Sequence, residues 1–242
     1  MEQKYYQRFN LFERWQHGIL FTTVILLILT GFPLRYYDVP FWRWVYSLFG
    51  GLEVARVLHR IFGIILIADF FANVYYITRK VLVARAKKAM QWEFDPAFTI
   101  LPTLKDFVDL YHNLLYMFWL RKEPPHFAKF NYMEKFDYWA VWWGMVIMGV
   151  TGVCMFLPTV VTYILPGQIL PISMIAHSDE VILIVLVIFI WHFYHVHFRP
   201  RYFPINLSFW HGKLTREEMM EEHGAEYDAI LKREAQGGNS DG

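Results

Sequence analysis

The chain has 242 residues, 56% of them hydrophobic and 19% aromatic, and its 23 Lys and Arg against 22 Asp and Glu leave a formal net charge of +1. That is too apolar for an ordinary soluble domain, and the balanced charge removes any electrostatic case for nucleic acid. The single Cys154 excludes an internal disulfide, a CxxC redox pair, a CxxCH haem-attachment site and a self-contained iron-sulfur or zinc-thiolate centre; no Gly-rich phosphate loop or GxSxG elbow is present.

Four segments are long enough to cross a hydrocarbon core, which takes about 20 mostly apolar residues. The first runs from about Trp15 to Leu34. Fourteen mostly polar and aromatic residues precede it and no small-residue cleavage site follows, so it is not expected to be a cleaved signal peptide. The second spans about Val54 to Ile77. In the long connection that follows, Leu104, Phe107, Val108, Tyr111, Leu114, Leu115 and Phe118 recur at helical spacing, which predicts an amphipathic helix lying on the membrane surface. The third segment spans about Phe136 to Leu157 and the fourth about Ile175 to Phe198. The tail from Leu214 to Ala235 is charged and reads as helical, with a frayed end, and no internal repeat or second folded domain is evident.

Lys and Arg in the connections set the expected orientation. Ten lie between Arg79 and Lys135, and both ends of the chain are basic; Pro158 to Ala176 has none, and Arg35 to Leu52 has only Arg35 and Arg43. Both termini and the long connection are therefore expected in the cytoplasm. The fold class expected is an all-α integral membrane protein: a four-transmembrane-helix bundle over residues 1–200, a cytoplasmic amphipathic helix, and a cytoplasmic tail over residues 201–242.

Histidines mark the membrane segments. The uninterrupted apolar run of the fourth, Val181 to Trp191, is only eleven residues, and it becomes a span only with His177 at one end and His192, or even His195 and His197, at the other. Polar groups at that depth need partners, and a haem iron is one: imidazole supplies the axial nitrogen. With the expected orientation, His17 and His192 fall near the inner face, and His59 and His177 near the outer face. Two levels with two histidines each, from different helices, are what two bis-histidine haems require. His177 and His192 are separated by a rise of roughly 22 Å, but an α-helix leaves them about 60° apart in direction; His195 returns to the His177 face but sits lower, next to Arg199. His192 is preferred on depth. Gly63, Gly18, Gly31, Gly144, Gly149 and Gly152 offer room for a flat macrocycle or for helix packing. Arg56 and Arg60 flank His59, either to pair with haem propionates or to snorkel to the interface. Asp69 and Asn73 read as interhelical hydrogen bonds or proton carriers, and His112, His126, His211 and His223 as surface residues.

Four stretches, FERWQHG at 12–18, LHRIFG at 58–63, KFNYMEKFDYWAVWWG at 129–144 and AHSDEVILIVLVIFIWHFYHVHF at 176–198, make residues 8–200 resemble the cytochrome b subunits of respiratory formate dehydrogenases and nickel-iron hydrogenases, in particular the four-helix formate dehydrogenase gamma-subunit type. The resemblance implies that His17 and His192 hold an inner haem b and that His59 and His177 hold an outer one. It also implies a cytoplasmic site for menaquinone or ubiquinone, with Asn131 as a polar contact. Met133 and Glu134 stand where the family pattern has Gly and Gln.

The function expected is an electron-transfer subunit of a membrane oxidoreductase complex, in a bacterial or archaeal cytoplasmic (inner) membrane. It would pass electrons across the membrane between a partner redox subunit and the quinone pool. With one cysteine, any iron-sulfur cluster must sit on that partner. A nearer alternative is a quinol oxidase subunit delivering electrons to a multihaem cytochrome c; one of another class is a redox-inactive membrane anchor or transporter subunit.

Overall fold

The computed structural model describes residues 4–86, 99–200 and 202–237. Lys87 and Lys88, two of the ten Lys and Arg between Arg79 and Lys135, Arg201 of the basic C-terminal end, and residues 238–242 of the frayed end lie outside them. In chain order the elements are β1 (Tyr5–Gln7), α1 (Leu11–Arg35), α2 (Pro40–Leu48), α3 (Leu52–Ala86), α4 (Leu104–Met117), α5 (Tyr132–Phe156), α6 (Pro158–Ile164), α7 (Ile169–Leu186), α8 (Ser208–His211), β2 (Lys213–Thr215), α9 (Arg216–Glu222) and α10 (Gly224–Gly237). α7 continues without a break into π-helical turns at Val187–His192 and Tyr194–Phe198.

The chain is mostly helical, and four helices are long and apolar enough to cross a membrane: Leu11–Arg35, Leu52–Val83, Tyr132–Phe156 and Ile169–Phe198. Each begins earlier than its apolar run suggests. Aromatic and polar residues such as Phe12, Glu13, Tyr132 and Glu134 continue the helix beyond the stretch that lipid must cover. Almost none of the residues in these windows is buried, and Phe21, Phe71, Trp143 and Ile190 stand exposed. An apolar surface of that extent belongs against lipid. α2 and α6 each open with a Pro in the first helical turn, where its missing N–H costs nothing. Gly50 and Gly51, at φ of 93° and 113°, make the turn into α3 that a side chain would strain.

Two compact units emerge, and they cross the boundary drawn at residue 200. One comprises residues 11–76 and 140–206; the other 1–10, 77–139 and 207–242. In the first, polar side chains join helices along the apolar faces. Asn73 Nδ2 donates to Gln16 Oε1 at 3.0 Å, Gln16 Nε2 donates to the Asp69 carbonyl at 3.3 Å, and Tyr76 Oη donates to Glu13 Oε1 at 3.1 Å. Asn73 is thus an interhelical hydrogen-bonding residue. The Arg35 guanidinium reaches Asp179 Oδ1 at 3.1 Å and ties α1 to α7.

In the second unit, β1 pairs antiparallel with β2, Tyr6 opposite Leu214, and Tyr6, Leu214, Met219 and Tyr227 form a small core. The tail is therefore not wholly helical: its first residues are a strand, and α9 begins at a capping box in which Thr215 and Glu218 satisfy each other's backbone N–H groups. The Arg8 side chain is buried between Glu134 at 2.8 Å and Glu226 at 3.4 Å. His223, expected on the surface, is 2% exposed; its Nδ1 lies 3.1 Å from the Ala128 carbonyl and its Nε2 4.0 Å from Glu134. Glu226, three residues on, turns inward to pair with Arg8 while Glu221 and Asp228 stay exposed, so a stretch that reads as solvated surface hides a buried ring.

Candidate functional site

All the histidines singled out in the membrane segments belong to the unit of residues 11–76 and 140–206. His59 on α3 and His177 on α7 come together: their ring centres are 6.2 Å apart and the ring planes cross at 74°. A metal held at about 2.0 Å by one nitrogen of each of two imidazoles, each ring centre about 1.1 Å behind its nitrogen, separates the centres by about 6.2 Å. The donor set and the spacing fit a bis-histidine iron. Two protein ligands complete such a centre because the porphyrin supplies the other four.

Each of these rings is held in the same way. Thr30 Oγ1 on α1 lies 3.1 Å from His59 Nδ1, and Thr151 Oγ1 on α5 lies 3.0 Å from His177 Nδ1. The residue after each threonine is glycine, and each His ring rests on it. A Cβ at Gly31 would meet His59 Cε1 at 2.8 Å, and one at Gly152 would meet His177 Cε1 at 3.4 Å. The α1/α3 and α5/α7 pairs thus repeat one Thr-Gly-His arrangement, although no internal repeat is evident in the chain as a whole. The Thr-Gly dipeptides at 30–31 and 151–152, each ahead of a membrane histidine, were the signal for it.

The other glycines divide. Gly144 packs on Ile184 and Gly149 on Ile67, which is helix packing, whereas a Cβ at Gly18 or Gly63 would meet nothing within 4 Å. Gly18 adjoins His17, and Gly63 lies one helical turn after His59, so open space borders both helices where a flat group would need it.

His17 of α1, and His192 and His197 of the helix that continues α7, belong to this same unit. The π-helical turns change the direction in which His192 points. They take roughly 4.4 residues per turn, so ten α-helical steps from His177 followed by five wider ones bring His192 to within about 30° of the His177 direction, half the offset of a uniform α-helix. The same widening puts residues five apart on one face, and the ring centres of His192 and His197 lie 6.3 Å apart. His195 points elsewhere. It packs on Trp191 with ring centres 4.3 Å apart, and Arg199 Nη2 donates to its Nδ1 at 3.0 Å. The Asn206 backbone N–H donates to His197 Nδ1 at 3.3 Å. A neutral ring that accepts at Nδ1 carries its proton on Nε2, so His195 and His197 hold the tautomer unsuited to binding a metal through Nε2.

The remaining expected site residues have other partners. Arg56 Nη1 pairs with Glu53 at 2.8 Å, and the Arg60 guanidinium lies over the Phe156 ring at 5.3 Å. Asn131, in the other unit, caps α5: its Oδ1 accepts the Glu134 N–H at 2.8 Å, and its own N–H donates to Glu134 Oε2 at 3.0 Å. No protein-family model matches the chain, and no curated protein matches it.

Proposed function

We propose that the chain is a membrane dihaem cytochrome b that carries electrons across the membrane between a partner redox subunit and a quinone, of the kind found in formate dehydrogenase and nickel-iron hydrogenase complexes. The observation that carries this reading is the His59–His177 pair, two imidazoles from two membrane-length helices at the separation one iron takes up. Bound there, and at a second level by His17 and His192, haem b would supply one-electron carriage. The chain's own residues orient the imidazoles, keep water from them with apolar helices, and leave open space beside Gly18 and Gly63. Arg56 and Arg60 are the cations nearest His59 in sequence and are proposed to meet the propionates, exchanging Glu53 and Phe156 for them.

Charge asymmetry supports placing both termini and the connection from Arg79 to Lys135 in the cytoplasm of a bacterium or archaeon. The hydrogen-bonded β1–β2 pair supports the two termini sharing one side, as four spans require. On that side α4 turns Asp106 and Asp109 inward, to Lys135 at 2.9 Å and to Lys105, and leaves Leu104, Phe107, Tyr111, Phe118 and Trp119 exposed. An apolar stripe with its charges turned away fits a helix lying on the bilayer. Quinone contact is assigned to Asn131, whose Nδ2 would donate to a quinone carbonyl while its Oδ1 caps α5.

The test is the optical difference spectrum of the purified full-length protein, first with dithionite and then with a quinol. The reading expects b-type bands that a quinol raises in part or in full. A protein without b-type bands is instead a redox-inactive anchor or transporter subunit. Bands that no quinol raises and that a reduced partner subunit does raise leave quinone reduction as the direction.

A further inference from the structure

We infer that Thr30 and Thr151 are positioning residues, which fix the tautomer and the mutual angle of His59 and His177 and thereby set the magnetic signature and potential of the iron between them. The inference rests on the haem reading above. A threonine hydroxyl has one proton. Thr30 Oγ1 lies 2.7 Å from the Leu26 carbonyl and 3.1 Å from His59 Nδ1; Thr151 Oγ1 lies 2.6 Å from the Ile147 carbonyl and 3.0 Å from His177 Nδ1. A carbonyl only accepts, so each hydroxyl donates to the carbonyl one turn back, and its oxygen lone pair faces the ring. Nδ1 must therefore carry the imidazole proton and donate it. The lone pair of each neutral ring then sits on Nε2, where a metal takes it.

Each ring is held by its threonine at one nitrogen, and His59 also by the close approach of Gly31 beneath the ring edge, where a methyl would not fit. The clamps sit on separate helices, α1 and α5, so the 74° between the ring planes is the sum of two independent constraints. A ring free to turn about its bond to a metal has no reason to hold such an angle; the Nδ1–H bond supplies one. Near-perpendicular axial imidazoles leave two iron d orbitals almost equal in energy. Such a low-spin ferric centre gives one large-g electron paramagnetic resonance feature rather than three resolved ones. An Nδ1–H that donates to oxygen also makes the imidazole a stronger electron donor, which favours ferric iron and lowers the potential.

The experiment compares full-length wild type with Thr30→Val, Thr151→Val, Thr30→Ser and Thr151→Ser by haem content, ferric resonance spectrum and redox titration. Valine keeps the shape without the hydroxyl; serine keeps the hydroxyl without the methyl. The valine variants are expected to lose the large-g feature of one of two haems and to raise the potential of that haem alone, and the serine variants to restore both. Loss of one haem in a valine variant with recovery in its serine counterpart supports the inference equally. Valine variants with two haems and unchanged spectrum and potential would overturn it, as would identical changes in the valine and serine pairs, which assign the effect to packing. Wild type that contains no haem removes the haem reading itself, before any variant is compared.

Discussion

The rings of His59 and His177 stand 6.2 Å apart, centre to centre, although one belongs to the second membrane helix and the other to the fourth. Two imidazole rings this close in an apolar bundle are polar groups that burial makes costly unless they find a partner. The haem proposal supplies that partner as an iron between them.

Replacing ligands one at a time tests the two levels. His59→Ala or His177→Ala is expected to lose one haem, and His17→Ala or His192→Ala the other, each leaving half of the wild-type haem. His195→Ala is expected to keep both, since its Nδ1 is occupied by Arg199 and its ring by Trp191. A haem count on purified variants checks each case; full content in His192→Ala with loss in His195→Ala would transfer the ligand role.

Gly31 and Gly152 are expected to differ on replacement by alanine. The new methyl in Gly31→Ala would approach His59 Cε1 at 2.8 Å, closer than real contacts allow, and Thr30 beside it prevents the ring from backing away. In Gly152→Ala the contact with His177 is 3.4 Å, within ordinary van der Waals distance. Loss or spectral change of one haem is expected in the first and near-normal content in the second.

How much of this was legible in the sequence depends on the range of the interaction. The four spans are visible because lipid contact is a local property of about 20 consecutive residues. His17, His59, His177 and His192 are visible because an imidazole in an apolar run is locally out of place. The Thr30–His59 and Thr151–His177 bonds join residues far apart in the chain: the repeated Thr-Gly dipeptide is visible, but which histidine each one meets is not. The π-helical turns after Leu186 were also hidden: a uniform α-helix leaves His192 about 60° from the His177 direction, and wider turns halve that offset. β1 and the burial of His223 depend on segments from opposite ends of the chain meeting, which a run of charged residues disguises as solvated surface.

Burial, and then the charge of Arg8, hold His223 below the usual imidazole range, against weaker opposing effects of Glu134, the Ala128 carbonyl and Glu226. The unfolded segment gains a proton as pH falls through about 6.5, whereas the folded one does not, so stability is full above that pH and declines below it. Hydrogen exchange of residues 213–230, corrected for intrinsic rates, is expected to lose protection between about pH 7.5 and 5.5. His223→Gln is expected to flatten that dependence; an unchanged profile would assign it to other groups.

Trp119, 91% exposed at the end of α4, is expected to enter the lipid headgroup region. Brominated lipids should quench wild-type fluorescence more than that of Trp119→Phe in the same vesicles. Equal quenching would place α4 away from the bilayer.

The most direct measurement of the central claim is the ratio of haem b to protein in the purified full-length chain, taken with a redox titration. Two haems per chain, resolved as two one-electron components, is the expected result. A chain that binds no haem, or that keeps its full haem complement after His59 and His177 are both replaced, would contradict it.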